Sequence, residues 1–173
     1  MQAVSSYQRK LFTLAFIVRD CVGSKQVLLG LKKRGFGMGK WNGFGGKVEV
    51  TDASIAAAAV RELEEEANVI VKAEDLLPCG ILFFSFEKSE EMMEVHVFLA
   101  HKFLGEPSES EEMEPQWYDI SKIPFKSMWV DDCYWLPHVL DGKSVQGQFY
   151  FAADESTLLD HRLEVTTQTN GDC

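Results

Sequence analysis

Residues 61–69, Arg61-Glu62-Leu63-Glu64-Glu65-Glu66-Ala67-Asn68-Val69, hold the densest run of chemically useful side chains in this sequence. On a helix, positions three and four apart share a side, so Glu62, Glu65 and Glu66 fall within an arc of roughly 100°. Carboxylates crowded in this way repel one another. Two readings account for them: a solvated acidic face, or oxygen donors for a hard cation such as Mg2+. Arg61 stands one position off that face and reaches Glu65 at i+4 spacing, which suits a residue that orients a carboxylate rather than one that touches a ligand. Glu64 points away and needs only water.

The helix that must position these acids is predicted over about Ser54 to Ala67. Ala56, Ala59, Val60, Leu63 and Ala67 form its apolar stripe, and Asp52 and Ser54 are candidate N-caps. Asn68 stands where a helix end needs a residue tolerant of the left-handed conformation. Ahead of the helix, residues 35–47 are rich in glycine, and Lys32, Lys33, Arg34, Lys40 and Lys47 concentrate positive charge there. The segment has neither P-loop spacing, since Trp41 follows Gly39-Lys40, nor a dinucleotide fingerprint, since Gly35, Gly37 and Gly39 alternate. It is either a turn-rich solubilising loop or a stretch whose backbone approaches a ligand closely.

Strands are predicted at Leu11–Arg19 and Lys25–Leu31, with a turn at Gly23-Ser24 between them. Further strands are predicted at Cys79–Phe86, Met93–Phe103, Gln116–Asp119, Gln146–Ala152 and Leu158–Val165. An acidic loop, Gly105–Pro115, precedes the third of these. Asp131–Leu140 reads as a second helix, broken or bent near Pro137, and the polar tail Thr166–Cys173 is expected to fray. The mixture implies an α+β domain with a mixed sheet packed between helices, an α/β/α sandwich.

A chain of 173 residues with 46% hydrophobic and 12% aromatic residues is expected to form one domain with a sizeable core. Its net charge of −10 argues against a nucleic acid polymer as partner. Any phosphate ligand must then be met by local basic groups or by metal. Cys21, Cys79, Cys133 and Cys173 are far apart and form no zinc pattern, which suits a reducing compartment. The apolar run from Leu11 to Val18 is too short to span a bilayer and is followed by no signal-type cleavage site, so it is read as a core strand. The expectation is a cytoplasmic monomer with no membrane partner, a nuclear or mitochondrial fraction being left open.

Gly46 together with residues 61–69 resembles the Nudix box, G-x5-E-x7-R-E-U-x-E-E-x-G-U with U aliphatic. The spacer from Gly46 to Arg61 is one residue longer than the pattern. The pattern's first glutamate is missing: Ala53 falls at its spacing from Arg61, and Asp52 is the nearest acid. Asn68 replaces the closing glycine. The likeness continues through Leu31–Gly37, Trp41–Val48, Glu94–Phe98, Glu111–Met113, Ile123–Lys126, Met128-Trp129 and Asp131–Trp135, which are similar to the MutT-type hydrolases of oxidised purine nucleoside triphosphates.

That resemblance implies a Nudix fold and hydrolysis of nucleotides such as 8-oxo-dGTP and 2-hydroxy-dATP to the monophosphate and pyrophosphate. It implies Mg2+, with Mn2+ as a substitute, held by Glu62, Glu65 and Glu66 with Gly46 and Glu112; Glu112 joins the metal site or acts as base. Gly45, Gly46 and Lys47 would line the phosphate path, and Thr13, Lys32, Phe36, Asn42, Phe84 and Met93 the base pocket. Trp129 offers a stacking surface, and the Asp131-Asp132 pair offers one protonated and one ionised acid to a purine edge. Each has a plainer reading: Phe84, Met93 and Trp129 as core, Asn42 as a turn residue, Asp131 as a helix cap. Two other functions also stand open. One is a Nudix hydrolase of a dinucleoside polyphosphate, nucleotide sugar or capped RNA, and the other a Nudix-like nucleotide-binding module without catalysis.

Overall fold

The computed structural model describes residues 7–167. Strands β1 (Gln8–Cys21) and β2 (Ser24–Lys32) form an antiparallel hairpin closed by Gly23, whose φ of 79° a side chain would resist. A two-residue strand, β3 (Trp41–Asn42), and helix α1 (Ile55–Ala67) follow. Next come β4 (Leu77–Phe86), β5 (Glu91–Ala100), β6 (Met113–Asp119), α2 (Asp132–Leu140), β7 (Lys143–Phe151) and β8 (Leu158–Thr167). They build one mixed sheet in the order β3-β2-β1-β5-β4-β7-β8, with β6 paired to β2. The β1–β5 and β4–β7 contacts are parallel and the others antiparallel. Among the described residues no helix is long and apolar enough to cross a membrane.

The alternation of side chains along β1 makes the two cores. Ala15 and Ile17 face α1 and pack with Leu28, Ala59, Leu63 and Ala67. Phe16 and Val18 face α2 and pack with Val27, Leu29, Trp135, Leu136 and Val139. Residues 15–18 are all buried, as expected of a central strand covered on both faces. The sheet therefore lies between α1 and α2, in the expected α/β/α layering.

Local detail departs from expectation in ways that have physical causes. Ser54 is the N-cap of α1: its hydroxyl accepts the Ala57 N–H at 3.0 Å. Asp52 is not a cap; it is committed to Arg61 and to the turn before the helix. Asn68 ends α1 at φ 58°, as its position demands. Helix α2 runs unbroken through Pro137, which lies on its exposed side, where the Cys133 carbonyl that loses its N–H partner can meet water. Asp131 occupies the cap position of α2, but its carboxylate makes no capping bond. Strand β5 stops at Ala100, short of Phe103, because Leu104 turns away to exchange backbone bonds with Ile70. Thr166 and Thr167 do not fray; they pair with Ser144 and Lys143 in β8, and residues 168–173 lie outside the described part of the chain.

Candidate active site

Beyond Ile17, β1 pairs with β2; along residues 11–15 its free edge is taken instead by residues 44–48. The Thr13 N–H donates to the Gly46 carbonyl at 2.9 Å, Ala15 and Phe44 exchange bonds at 2.7 and 2.9 Å, and Val48 N–H donates to Leu11 at 2.9 Å. This contact explains one glycine: a Cβ on Gly45 would overlap the Thr13 carbonyl oxygen. The Gly45 N–H points the other way and donates to Glu66 Oε1 at 2.9 Å, so the glycine-rich segment is stitched to α1. At Gly46 a Cβ would run into the Glu62 carboxylate.

The three helix acids sit in graded environments. Glu66 is 3% exposed, the Glu62 side chain is largely covered, and the Glu65 side chain is 58% exposed. Burial, with Glu62 adding repulsion, pushes the Glu66 carboxyl up to about 8. Burial also raises Glu62, although Arg61 beside it pulls the other way. Arg61 is the organiser of this group. Its Nε and Nη2 make a two-pronged pair with Asp52, each at 2.9 Å, while Nη1 donates to Glu62 at 3.0 Å and Glu65 at 3.3 Å. The guanidinium holds Asp52 down to about 2.

Glu112 is tied to Lys32 Nζ at 3.0 Å and Arg34 Nε at 2.6 Å, which hold its carboxyl below the usual carboxylate range, and its charge reaches Glu66. Among the described residues no three acids, histidines or cysteines are grouped closely enough to grip one ion as the side chains stand. The cause is visible: Arg61 bonds both Glu62 and Glu65, and Lys32 and Arg34 hold Glu112. The donor chemistry still fits a hard divalent cation. Glu66 is a buried carboxylate driven toward protonation by burial and by Glu62, and a nearby dication would relieve both penalties. The Gly46 carbonyl, already accepting from Thr13, has a second lone pair to offer.

A cavity of about 290 Å3 opens beside Glu66. Thr13, Lys32, Phe36, Asn42, Gly45, Gly46, Phe84, Met93, Trp129, Asp131 and Asp132 all line it, so the residues expected of a base pocket and part of the phosphate path do converge. Lys47 does not reach it; its carbonyl instead accepts from Arg61. Strand register explains several of these placements. Phe84 lies opposite Met93 on β5 and opposite Phe149 on β7, with which it stacks at 5.5 Å. Trp129 is partly buried rather than core, 4.9 Å from Phe36 and edge-on to Phe151 at 6.4 Å.

Asp131 and Asp132 are 3% and 2% exposed. Asp131 accepts the Trp135 indole N–H at 2.8 Å. Burial raises its carboxyl to about 6. Asp132 is raised well above the ordinary aspartate range by burial and by Asp131. Among the described residues, two buried polar atoms at this cavity have no partner, Asp132 Oδ2 and Thr13 Oγ1. The Asn42 oxygen accepts the Gly43 N–H at 2.8 Å, leaving its NH2 for a ligand. The lining also includes Lys40, Trp135, Phe86 and Phe151, none of which spacing alone singles out. Their signal is in pairing: Phe86 and Phe151 are neighbours across β4 and β7, two residues along from the Phe84–Phe149 pair.

Residues 11–139 match the NUDIX domain family model. Among curated proteins, the chain is 47% identical over 158 residues to a Danio rerio protein named oxidized purine nucleoside triphosphate hydrolase, covering 91% of this chain and 96% of that one. A Mus musculus protein of the same name is 45% identical over 154 residues, covering 89% and 94%. Among solved structures, a mutator MutT protein from Bacillus halodurans superposes with a TM-score of 0.76 at 28% identity, covering 90% of this chain and 97% of that one. With the box helix, the two-sided sheet and these identities in agreement, the chain belongs to the NUDIX hydrolase family.

Proposed function

We propose that this enzyme hydrolyses oxidised purine nucleoside triphosphates, such as 8-oxo-dGTP and 2-hydroxy-dATP, to the monophosphate and pyrophosphate, and so removes damaged bases from the nucleotide pool. NUDIX hydrolases act on small nucleotide substrates and generally use divalent metal ions. Mg2+ is the ion we assign here, with Mn2+ as its substitute, in a monomeric enzyme acting in the cytoplasm. One observation carries the reading: a single cavity has the buried Asp131-Asp132 pair and the Trp129 ring along the same wall system as Gly45, Gly46 and Glu66.

Glu62, Glu65 and Glu66 would hold the ion, with the Gly46 carbonyl and Glu112 as further donors. When bound, the ion supplies neutralisation of phosphate oxygens and a more acidic water. The chain's own residues do the rest. Arg61 fixes Glu62 and Glu65 against the Asp52 anchor. The Gly45 N–H holds the Glu66 carboxylate in place. Trp129 stacks on the base, a contact worth on the order of 1–3 kcal/mol. Burial raises both carboxyls and Asp131 raises Asp132 as well, which favours one proton held on the pair, with one acid as donor and the other as acceptor. A proton moved between them would suit a purine edge of different pattern. Asn42 donates from its NH2, and Phe36, Phe84 and Met93 wall the base in.

The test is a substrate panel with product analysis: 8-oxo-dGTP and 2-hydroxy-dATP against dGTP and diadenosine tetraphosphate, with and without Mg2+. Preference for the oxidised purines, with pyrophosphate as product, is expected. Equal or better turnover of dGTP or of the dinucleotide rejects the reading.

A further inference from the structure

Lys32 and Lys40 face each other where β2 meets the glycine-rich turn. The Lys32 N–H donates to the Lys40 carbonyl at 3.0 Å, and both side chains line the cavity. Like charges opposed across a hairpin repel, so each needs compensation. Lys32 has it from Glu112 at 3.0 Å. Lys40 has no carboxylate within ion-pair distance among the described residues, although Glu66, Asp131 and Asp132 line the same cavity. Its ammonium lies instead 5.2 Å from the Trp129 ring centroid. A cation over an aromatic ring at a partly buried site is held more weakly than one bonded to an anion.

The backbone around Lys40 is held by hydrogen bonds, while its ammonium has, among the described residues, only the Trp129 ring beside it. Its N–H donates to Gly37 at 3.0 Å, and Gly37, at φ 83°, brings the turn so close to Trp129 that a Cβ would stand 3.3 Å from the indole nitrogen. The turn thus delivers an uncompensated positive charge to a cavity in a chain of net charge −10. A nucleoside triphosphate brings several negative charges into that cavity.

We propose that Lys40 is a substrate-contact residue whose ammonium leaves the Trp129 ring to pair with a phosphate oxygen of the nucleotide. The identity of the ligand rests on the function proposed above; the anion contact itself does not depend on which base is attached. Lys32 holds Glu112 and Lys40 receives the phosphate, so the opposed pair divides its work.

Lys40→Met keeps the length of the side chain and removes its charge. Inorganic tripolyphosphate, titrated as a competitive inhibitor or by calorimetry, should bind about tenfold more weakly to Lys40→Met than to the natural enzyme. KM for the nucleoside triphosphate should rise by a similar factor with a much smaller change in kcat, and Lys40→Arg should restore both. Binding of the uncharged oxidised nucleoside, followed by tryptophan fluorescence, should not change. Unaltered tripolyphosphate affinity in Lys40→Met overturns the proposal. So does a nucleoside affinity that falls in step, which would make Lys40 a prop for Trp129. If Lys40→Met melts early, Lys40→Gln gives the same comparison. A natural enzyme that shows no preference for oxidised purines rejects the substrate reading while the tripolyphosphate titration still decides the Lys40 contact.

Discussion

The buried Asp131-Asp132 pair makes stability fall as pH rises, and replacing Asp132 with asparagine should remove part of that fall. A carboxyl whose value is higher in the folded than in the unfolded chain favours folding most fully while it is protonated in both. That advantage is lost as pH climbs through the folded value. Asp131 stands at about 6 in the fold against an ordinary 3.8. At about 1.4 kcal/mol per unit, the loss it causes between pH 4 and pH 6 is on the order of 3 kcal/mol. Asp132 is raised well above the ordinary aspartate range by burial and by Asp131, so its share of the loss has the same sign and begins at the same pH, about 4. Glu66, at about 8, adds a fall of the same sign.

Asparagine at 132 is nearly isosteric and neutral at every pH. Urea unfolding of the natural chain and of Asp132→Asn, in steps from pH 4.5 to 9, isolates the Asp132 contribution, because Glu66 and the bulk of Asp131 cancel in the difference. The stability of Asp132→Asn relative to the natural chain should therefore increase as pH rises from about 4 upward. Activity toward an oxidised purine should fall in the same variant, since a fixed amide cannot exchange a proton with its neighbour. Stability curves that run parallel from pH 4.5 to 9 would refute the claim that Asp132 holds its proton through burial.

Glu66→Gln should abolish turnover, measured as pyrophosphate release with Mg2+, and should unfold no earlier than the natural chain, because the amide carries no charge to bury. Retained activity would remove Glu66 from the metal set. Gly45→Ala should lower the melting temperature, with a cost of about 1–3 kcal/mol or more, since its Cβ overlaps the Thr13 carbonyl and β1 or the loop must shift. Asp52→Asn, which leaves Arg61 with a neutral partner, should reduce kcat more than it changes folding, and Asp52→Glu should not restore it if the tight turn sets the reach. Asn68→Ala at φ 58° should cost about 1 kcal/mol more in thermal or urea unfolding than Asn68→Gly, since both lose the Asn68 Nδ2 bonds to the Ser108 and Glu109 carbonyls and only alanine is strained.

What was legible in the sequence was mostly local. The stripe on α1, the Ser54 cap and the left-handed Asn68 follow from spacings within a few residues, and all three stand in the structure. The two-faced burial of β1 follows from its unbroken apolar run. Contacts that depend on the sheet were not legible. Glu112 lies 80 residues from Lys32 in the chain, and only the β2–β6 register brings them together. Strand β6 begins three residues earlier than its composition suggests, at Met113-Glu114-Pro115, where proline and charge argue against a strand. Pairing with β2 alone leaves β6 an open side, and there a missing N–H is tolerated. Lys40 counted only as one of five basic residues around the glycine-rich segment, because a lysine among glycines reads as solubilising until its opposite number across the hairpin is known to be paired.

The departure of the spacer from the family pattern is the sharpest case, because it bears on whether the helix is set for chemistry. One residue too many between Gly46 and Arg61 could rotate or shift α1 against the loop. The turn at residues 49–52 is where the extra residue is accommodated. The Asp52 N–H donates to the Glu49 carbonyl at 3.0 Å while the Glu49 N–H donates back to Asp52 Oδ2 at 2.8 Å. This closed turn stands just before the helix, which Ser54 caps, and Arg61 donates to the Lys47 carbonyl at 3.3 Å. The same Asp52 carboxylate receives both prongs of Arg61. An acid at a shifted position, on a shorter side chain, thereby supplies the anchor for Arg61, and Arg61 in turn fixes Glu62 and Glu65. A carboxylate within reach of the guanidinium is thus delivered by a tight turn rather than by a fixed count of residues.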